Sequence, residues 1–292
     1  MDLKDLHVFQ TVAELGTITA AAKELNYVQS NVTSRIQKLE QNLNTTLFLR
    51  HRKGMSLTPE GRKLMSYSKK ILALSTEMEK VLQSKTEPAG ELHIGTVQTV
   101  INLPHILQEY NQKYNQVDLS LHTGVTEQLR EDVLNYKLDG AFVVETDPHP
   151  ELEAYPVFDE ELVLITNPAT KSTAEAKKEP FLCFSRGCAY RRRLESWFAA
   201  ENLSPKKVME LGSFETILSS VTIGLGMTYV PKTSVDNLLE KKKVKMHEVP
   251  RQFSQIKTIF IRRKDAALTS TVERFIETID YVKDGTIKPV TL

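Results

Sequence analysis

One break in hydrophobic period governs what this chain can become. Up to about residue 84, apolar residues recur at helical spacing; from residue 91, short apolar runs alternate with amphipathic segments. Between them lies KTEPAGE, residues 85–91, whose Pro88 and Gly90 end a helix and make a linker. A helical front and a strand–helix body are two folding units, which a 292-residue chain has the length to build.

In the front, Leu3, Leu6, Phe9, Val12 and Ala13 share one helical face and Gly16 stops that helix. Thr17 or Thr19 caps a second, alanine-rich helix ending near Leu25. Val32, Ile36, Leu39 and Leu43 form the buried stripe of a third. LFLRHRKGMSLT then reads as a hairpin around Gly54 with Arg50, Arg52 and Lys53 at its rim. Thr58-Pro59-Glu60 opens a fourth helix: a cap, a proline where its missing N–H costs nothing, and an acid in the first turn.

In that fourth helix Leu64, Tyr67, Ile71, Leu74, Met78 and Val81 recur as a heptad seam. A run over residues 59–84 is roughly 39 Å long at 1.5 Å per residue. A helix of that length with so narrow an apolar seam is expected to pair with a second copy of itself.

Helix, tight turn and helix, followed by a basic hairpin, is the arrangement of a head that lays one helix in a DNA major groove. The polar front of the third helix supplies the chemistry. Gln29 can pair with adenine, Ser30, Asn31 and Thr33 can reach base edges or phosphates, and Arg35 suits guanine or phosphate. Arg50, Arg52 and Lys53 would meet the backbone or minor groove. Charge follows the same division: residues 1–80 carry 12 Lys/Arg against 8 Asp/Glu, and the remainder 26 against 29.

The body offers strands in ELHIGTV, VDLSLHTG, GAFVVE, ELVLIT, PFLCFS, GMTYVP and KTIFIRR. Amphipathic segments lie near 102–114, 126–137, 190–202, 214–223 and 232–241, and a helix over 268–282 turns Val272, Phe275, Ile276 and Ile279 inward. Such alternation predicts an α/β body with a parallel or mixed sheet. Thr96, Gln98, Thr99, Thr126, Ser185, Cys188, Arg191, Ser213 and Phe214 fall where strands turn into helices, so they are candidates for a ligand cleft lined by helix N-termini. Hydroxyls and amide N–H groups there favour an anion. Cys188, at a helix start beside Arg186, Arg191, Arg192 and Arg193, is expected to have a depressed pKa and to be reactive; Cys183 lies in an apolar strand and reads as inert.

Other chemistries leave no trace. The seven histidines lack metal-ligand spacing, and there is no G-x-S-x-G, no phosphate-binding G-x-x-x-x-G-K and no cofactor motif. Two cysteines fit a reducing compartment. No secretory signal is apparent and no stretch approaches a membrane span, so a cytoplasmic, non-enzymatic protein is expected.

Residues 5–64, with the spaced pattern L..F..V.E.G....AA..L...QS.V...I..LE..L...LF.R......LT..G, resemble the N-terminal domain of LysR-type transcriptional regulators. The likeness continues more loosely to GLGMTYVP. It implies a bacterial, oligomeric regulator. Residues 1–58 would be a winged helix-turn-helix, 59–84 a linker and dimerisation helix, and 85–90 a hinge. Residues 91–292 would be an effector-binding body similar to periplasmic binding proteins, lobe 1 being about 91–162 plus 263–292 and lobe 2 about 163–262. Thr19 would begin the second helix, Gln29, Ser30, Thr33 and Arg35 lie on the recognition helix, and Arg50 and Arg52 on the wing. Val28 and Asn31 depart from the family, which commonly has Ser or Thr at the first position and a small residue at the second. The expected partners are double-stranded DNA, a small-molecule effector, further copies of the chain and RNA polymerase. Two alternatives stand beside this reading: a redox-responsive regulator acting through Cys188, and a binding-protein-like enzyme or solute receptor.

Overall fold

The structure, a computed structural model, describes residues 2–52, 54–83 and 87–284. The chain separates into two units at Gln83/Ser84.

The first unit is helical with a small hairpin: α1 (Leu3–Leu15), α2 (Ile18–Glu24), α3 (Gln29–Leu43), β1 (Phe48–His51), β2 (Gly54–Leu57) and α4 (Pro59–Gln83). α1 opens on a reciprocal cap, in which the Asp5 N–H donates to Asp2 at 2.7 Å and the Asp2 N–H to Asp5 at 3.1 Å. Gly16 closes it in the left-handed region. Thr17, not Thr19, caps α2, leaving Thr19 exposed inside the helix. With Val28 at its start, α3 has no side-chain cap.

Leu6, Phe9, Val12, Ala21, Val32, Ile36, Leu39, Leu47 and Phe48 form the core. Leu3 and Leu43, counted inward by periodicity, are exposed, because the three-helix core closes before either end. The hairpin is locked in place from two sides. Glu40 accepts hydrogen bonds from the N–H groups of Leu47 and Phe48 at 2.7 and 3.3 Å. On the other side the Met55 N–H donates to Gly16 at 2.7 Å. Gly54 has φ +132°, and a Cβ there would lie 2.3 Å from the Gly16 carbonyl oxygen, so only glycine permits this approach.

α4 has two apolar faces, where the heptad reading gave it one. Leu64, Met65 and Leu72 pack on the head core, and the buried Ser68 hydroxyl accepts from Gln10 at 3.1 Å. Leu64 therefore belongs to the head rather than to the free seam. Tyr67, Ile71, Leu74, Met78 and Val81 are exposed, joined by Leu82.

The second unit continues with β3 (Gly90–Thr96), α5 (Leu103–Lys113), β4 (Val117–Thr123), α6 (Thr126–Leu134), β5 (Gly140–Val144) and β6 (Leu152–Thr166). Next come α7 (Thr173–Ala176), β7 (Phe181–Cys183), α8 (Ala189–Ala200), β8 (Val208–Glu210), α9 (Phe214–Thr222) and β9 (Thr228–Pro231). It ends with α10 (Asp236–Glu240), β10 (Lys245–His247), α11 (Arg251–Ser254), β11 (Gln255–Arg263) and α12 (Ser270–Asp284).

β6 defines the architecture. Its first part pairs antiparallel with β11, in a sheet whose order continues β11-β5-β3-β4. Its last residues pair with β9 and β10 instead. One strand thus crosses from the first lobe to the second. The chain returns at Ser254/Gln255, because β11 pairs with β5 and β6 of the first lobe. This corrects the expected return near residue 262: β11 is a first-lobe strand. Leu92, Ile94, Tyr110, Phe142, Phe260 and Phe275 centre the first lobe, and Phe181, Leu194, Trp197, Phe198 and Tyr229 the second.

Candidate functional site

Two surfaces combine exposed chemistry with a rigid support. The first is the front of α3 with the hairpin. Gln29, Ser30 and Asn31 are exposed on the first turn of α3, and Arg50 and Arg52 on the hairpin. Lys53 lies outside the described residues. Thr33 donates its hydroxyl to the Gln29 carbonyl at 2.9 Å, so its proton is committed to the helix.

Arg35 also departs from expectation. Its Nη1 donates to Asp5 at 2.7 Å and its Nε to Asn31 at 3.1 Å, and its guanidinium lies 6.0 Å from the centre of the Tyr27 ring. Asp5 is only 2% exposed. Arg35 therefore braces α3 to α1, while part of its side chain stays exposed. Sequence reasoning overlooked Asp5 and Glu40. A signal existed for Asp5 in the Asp-x-x-Asp cap, but none for its partner thirty residues away.

The second surface is a cavity of about 650 Å³ between the two lobes of the body. Gln98, Thr99, Thr126, Ser185 and Cys188 line it, as the strand-to-helix reading proposed. The N-termini of α6 and α8 open on it, although the Glu127 N–H is taken by the Gly187 carbonyl at 3.2 Å and the N–H groups of Tyr190 and Arg191 by the Cys188 thiol. Among its lining residues, Thr99 is 1% exposed and bonds at 2.6 Å to the buried hydroxyl of Tyr190 from the other lobe. Thr126 is 2% exposed, and its hydroxyl has no hydrogen-bond partner among the described residues.

Four expected residues lie elsewhere. Thr96, Ser213 and Phe214 line a neighbouring, mostly apolar cavity of about 370 Å³, with Gln98 between the two. Ser213 caps α9, and Gln98 accepts from the Phe214 N–H at 2.8 Å. Arg191 stands outside the main cavity, paired with Glu195 at 2.9 Å and Glu210 at 2.6 Å. The other arginines of that run are also paired, Arg192 while still half exposed. Arg192 pairs with Glu127 of the first lobe, and Arg193 grips the carbonyls of Phe253 and Gln255 at 2.8 and 2.5 Å, just where the chain crosses back. Arg186 remains exposed at the cavity wall.

Tyr190, Glu127, Glu131 and Glu210 were missed as lining residues. Tyr190 was findable, standing two residues beyond Cys188 in the same turn. Glu127 was findable in the same way, beside Thr126 in the first turn of α6; Glu210 was not, because only the fold brings it to the cavity.

Cys188 reverses expectation. It is buried, and burial pushes its thiol up, outweighing the backbone N–H groups of Arg191 and Tyr190 and the nearby guanidiniums. Burial pushes the Cys183 thiol up to about 12. Neither is poised as a thiolate. Glu160, on the crossing strand, is also raised by burial, although hydroxyls of Thr258 and Thr233 bond to it.

Residues 3–62 match the family described as bacterial regulatory helix-turn-helix protein, lysR family, and residues 85–282 match the LysR substrate binding domain. The chain is 51% identical over 279 residues to the HTH-type transcriptional regulator SoxR of Arthrobacter sp. (strain TE1826), covering 96% of each chain. It is 48% identical over 280 residues to the HTH-type transcriptional regulator CzcR of Bacillus anthracis, covering 96% of this chain and 97% of that one. Its fold matches the crystal structure of full-length CbnR complexed with the target DNA, with TM-score 0.67 and 22% identity over 97% of this chain and all of that one. No helix among the described residues is long and apolar enough to cross a membrane.

Proposed function

Because the chain belongs to the LysR-type transcriptional regulators, carrying their DNA-binding head and their substrate-binding body, we propose that a small molecule with an anionic group, held in the 650 Å³ cavity, sets how the heads engage an operator. One observation carries this reading: Thr126, whose hydroxyl has no hydrogen-bond partner among the described residues, lines a cavity onto which two helix N-termini open. A ligand oxygen would give that hydroxyl a partner, a contact worth about 0.5–1.5 kcal/mol.

The lobes are already bridged by Thr99–Tyr190 and Glu127–Arg192. A ligand that competes for these groups changes the angle between lobes about the crossing at β6 and Ser254/Gln255. Coupling of about 1–3 kcal/mol between cavity and DNA suffices for a several-fold regulatory change. The exposed Tyr67, Ile71, Leu74, Met78 and Val81 supply a face on which two copies pair, so that two α3 helices address successive turns of a duplex.

The test is a thermal-shift panel of small carboxylates on the full chain, followed by footprinting at candidate promoters with each stabilising compound. Thr126→Val preserves shape and removes the hydroxyl. It is expected to abolish the ligand-induced shift while leaving operator binding intact. A full shift in the valine variant would refute the assignment.

A further inference from the structure

We propose that Asn31 reads DNA as a hydrogen-bond donor only and selects guanine, because the Asp5–Arg35 brace fixes its amide with the oxygen turned inward; this rests on the DNA-facing role of α3. A guanidinium has donors and no acceptor. The Asn31 atom that Arg35 Nε meets at 3.1 Å is therefore the oxygen, Oδ1, and the amide cannot be flipped without losing the bond. Nδ2 is the amide atom left without a partner among the described residues.

The brace itself is anchored. Arg35 Nη1 donates to Asp5 at 2.7 Å, Asp5 is 2% exposed, and Asp5 is held in turn by the reciprocal cap with Asp2 at the start of α1. Three residues on two helices thus set one amide orientation before any DNA arrives. Asn31 lies in the first turn of α3, exposed beside Gln29 and Ser30.

Orientation decides what the amide can recognise. The bidentate pairing of an amide with adenine uses its oxygen and its nitrogen together. With one lone pair of the oxygen taken and its direction set toward Arg35, that pairing is disfavoured for Asn31. Guanine presents two acceptors, N7 and O6, on its major-groove edge, where adenine and thymine present one each, so a free NH₂ is best served by guanine. Among the described residues no such clamp acts on Gln29, which keeps the adenine option.

The experiment is selection of bound duplexes from a random-sequence pool by the full-length protein, sequenced for wild type, Asn31→Ala and Arg35→Lys. Wild type is expected to show a guanine preference of about 5- to 150-fold at one position per half-site. Asn31→Ala flattens that position alone. Arg35→Lys keeps a cation against Asp5 but removes the Nε donor, so adenine becomes acceptable there; circular dichroism confirms that both variants fold.

Adenine preference at the Asn31-dependent position in wild type overturns the proposal, as does an unchanged guanine preference in Arg35→Lys. Uniform weakening by Asn31→Ala at every position marks a phosphate contact and also overturns it. Failure of wild type to enrich any sequence refutes DNA reading by α3 itself, a separate result.

Discussion

Replacing Arg35 with methionine isolates the brace. The change keeps most of the side chain's apolar length and removes the guanidinium, leaving an Asp5 carboxylate that is 2% exposed without its charged partner. Asp5 retains one hydrogen bond, from the Asp2 N–H at 3.1 Å. Breaking a buried ion pair from one side costs roughly 3–5 kcal/mol, and the Asp2 contact places the expectation at the lower end of that range. Hydrogen exchange on the full chain reads this directly. Amides of α1 and α3 that open only with the head should exchange about two orders of magnitude faster, while amides of the body stay unchanged. Adding Asp5→Ala to the same chain removes the stranded charge. The double variant should be less destabilised than the sum of the two single ones by about 1 kcal/mol or more. If Arg35→Met leaves α1 and α3 as protected as in wild type, or if the two changes simply add, the pair is not a brace and the clamp on Asn31 loses its foundation.

Leu74→Glu with Met78→Glu places charges on the exposed face of α4. Each large apolar side chain removed from an interface forfeits about 1.5–3 kcal/mol, so self-association measured by sedimentation should weaken at least a hundredfold while the melting of the head stays unchanged. Leu64→Ala is expected to do the reverse, lowering head stability with little direct effect on pairing. Glu160 titrates above the usual carboxylate value of 4.5, so the fold holds its proton more tightly than the unfolded chain. Ionisation therefore costs the fold stability as pH rises from about that value through the raised one. Glu160→Gln should melt with wild type below this window and above it at pH 8. Cys183 and Cys188, both buried with raised thiol pKa, should react with a thiol reagent far more slowly in the native chain than in denaturant. Rapid native labelling of Cys188 would revive the redox alternative.

Much was determined locally, and so was legible. The caps at Thr58 and Ser213, the stop at Gly16 and the stripe of Val32, Ile36 and Leu39 depend on spacing within a few residues. That was enough to place the helices of the head, the hairpin, the change to an α/β body and the cleft positions of Thr99, Thr126 and Ser185. Locality also explains the misses. β6 begins nine residues before its predicted start at Glu161, in LEAYPVFDE, where Pro156 argues against a strand until β11 is present to pair with it. The return of the chain at Ser254/Gln255 was likewise invisible, since only pairing assigns β11 to a lobe.

Charge shows the limit most clearly. Read along the chain, Arg35 is a DNA contact, and Cys188 is a thiol activated by the basic run from Arg191 to Arg193. Packing brings Asp5 to Arg35, burial to Cys188, and Glu210, Glu127 and the Phe253 carbonyl to the three arginines in turn. Backbone preferences and hydrophobic period act between neighbours and are written in the sequence. The protonation and pairing of a side chain depend on distance and solvent access in three dimensions, and those exist only once distant segments have met.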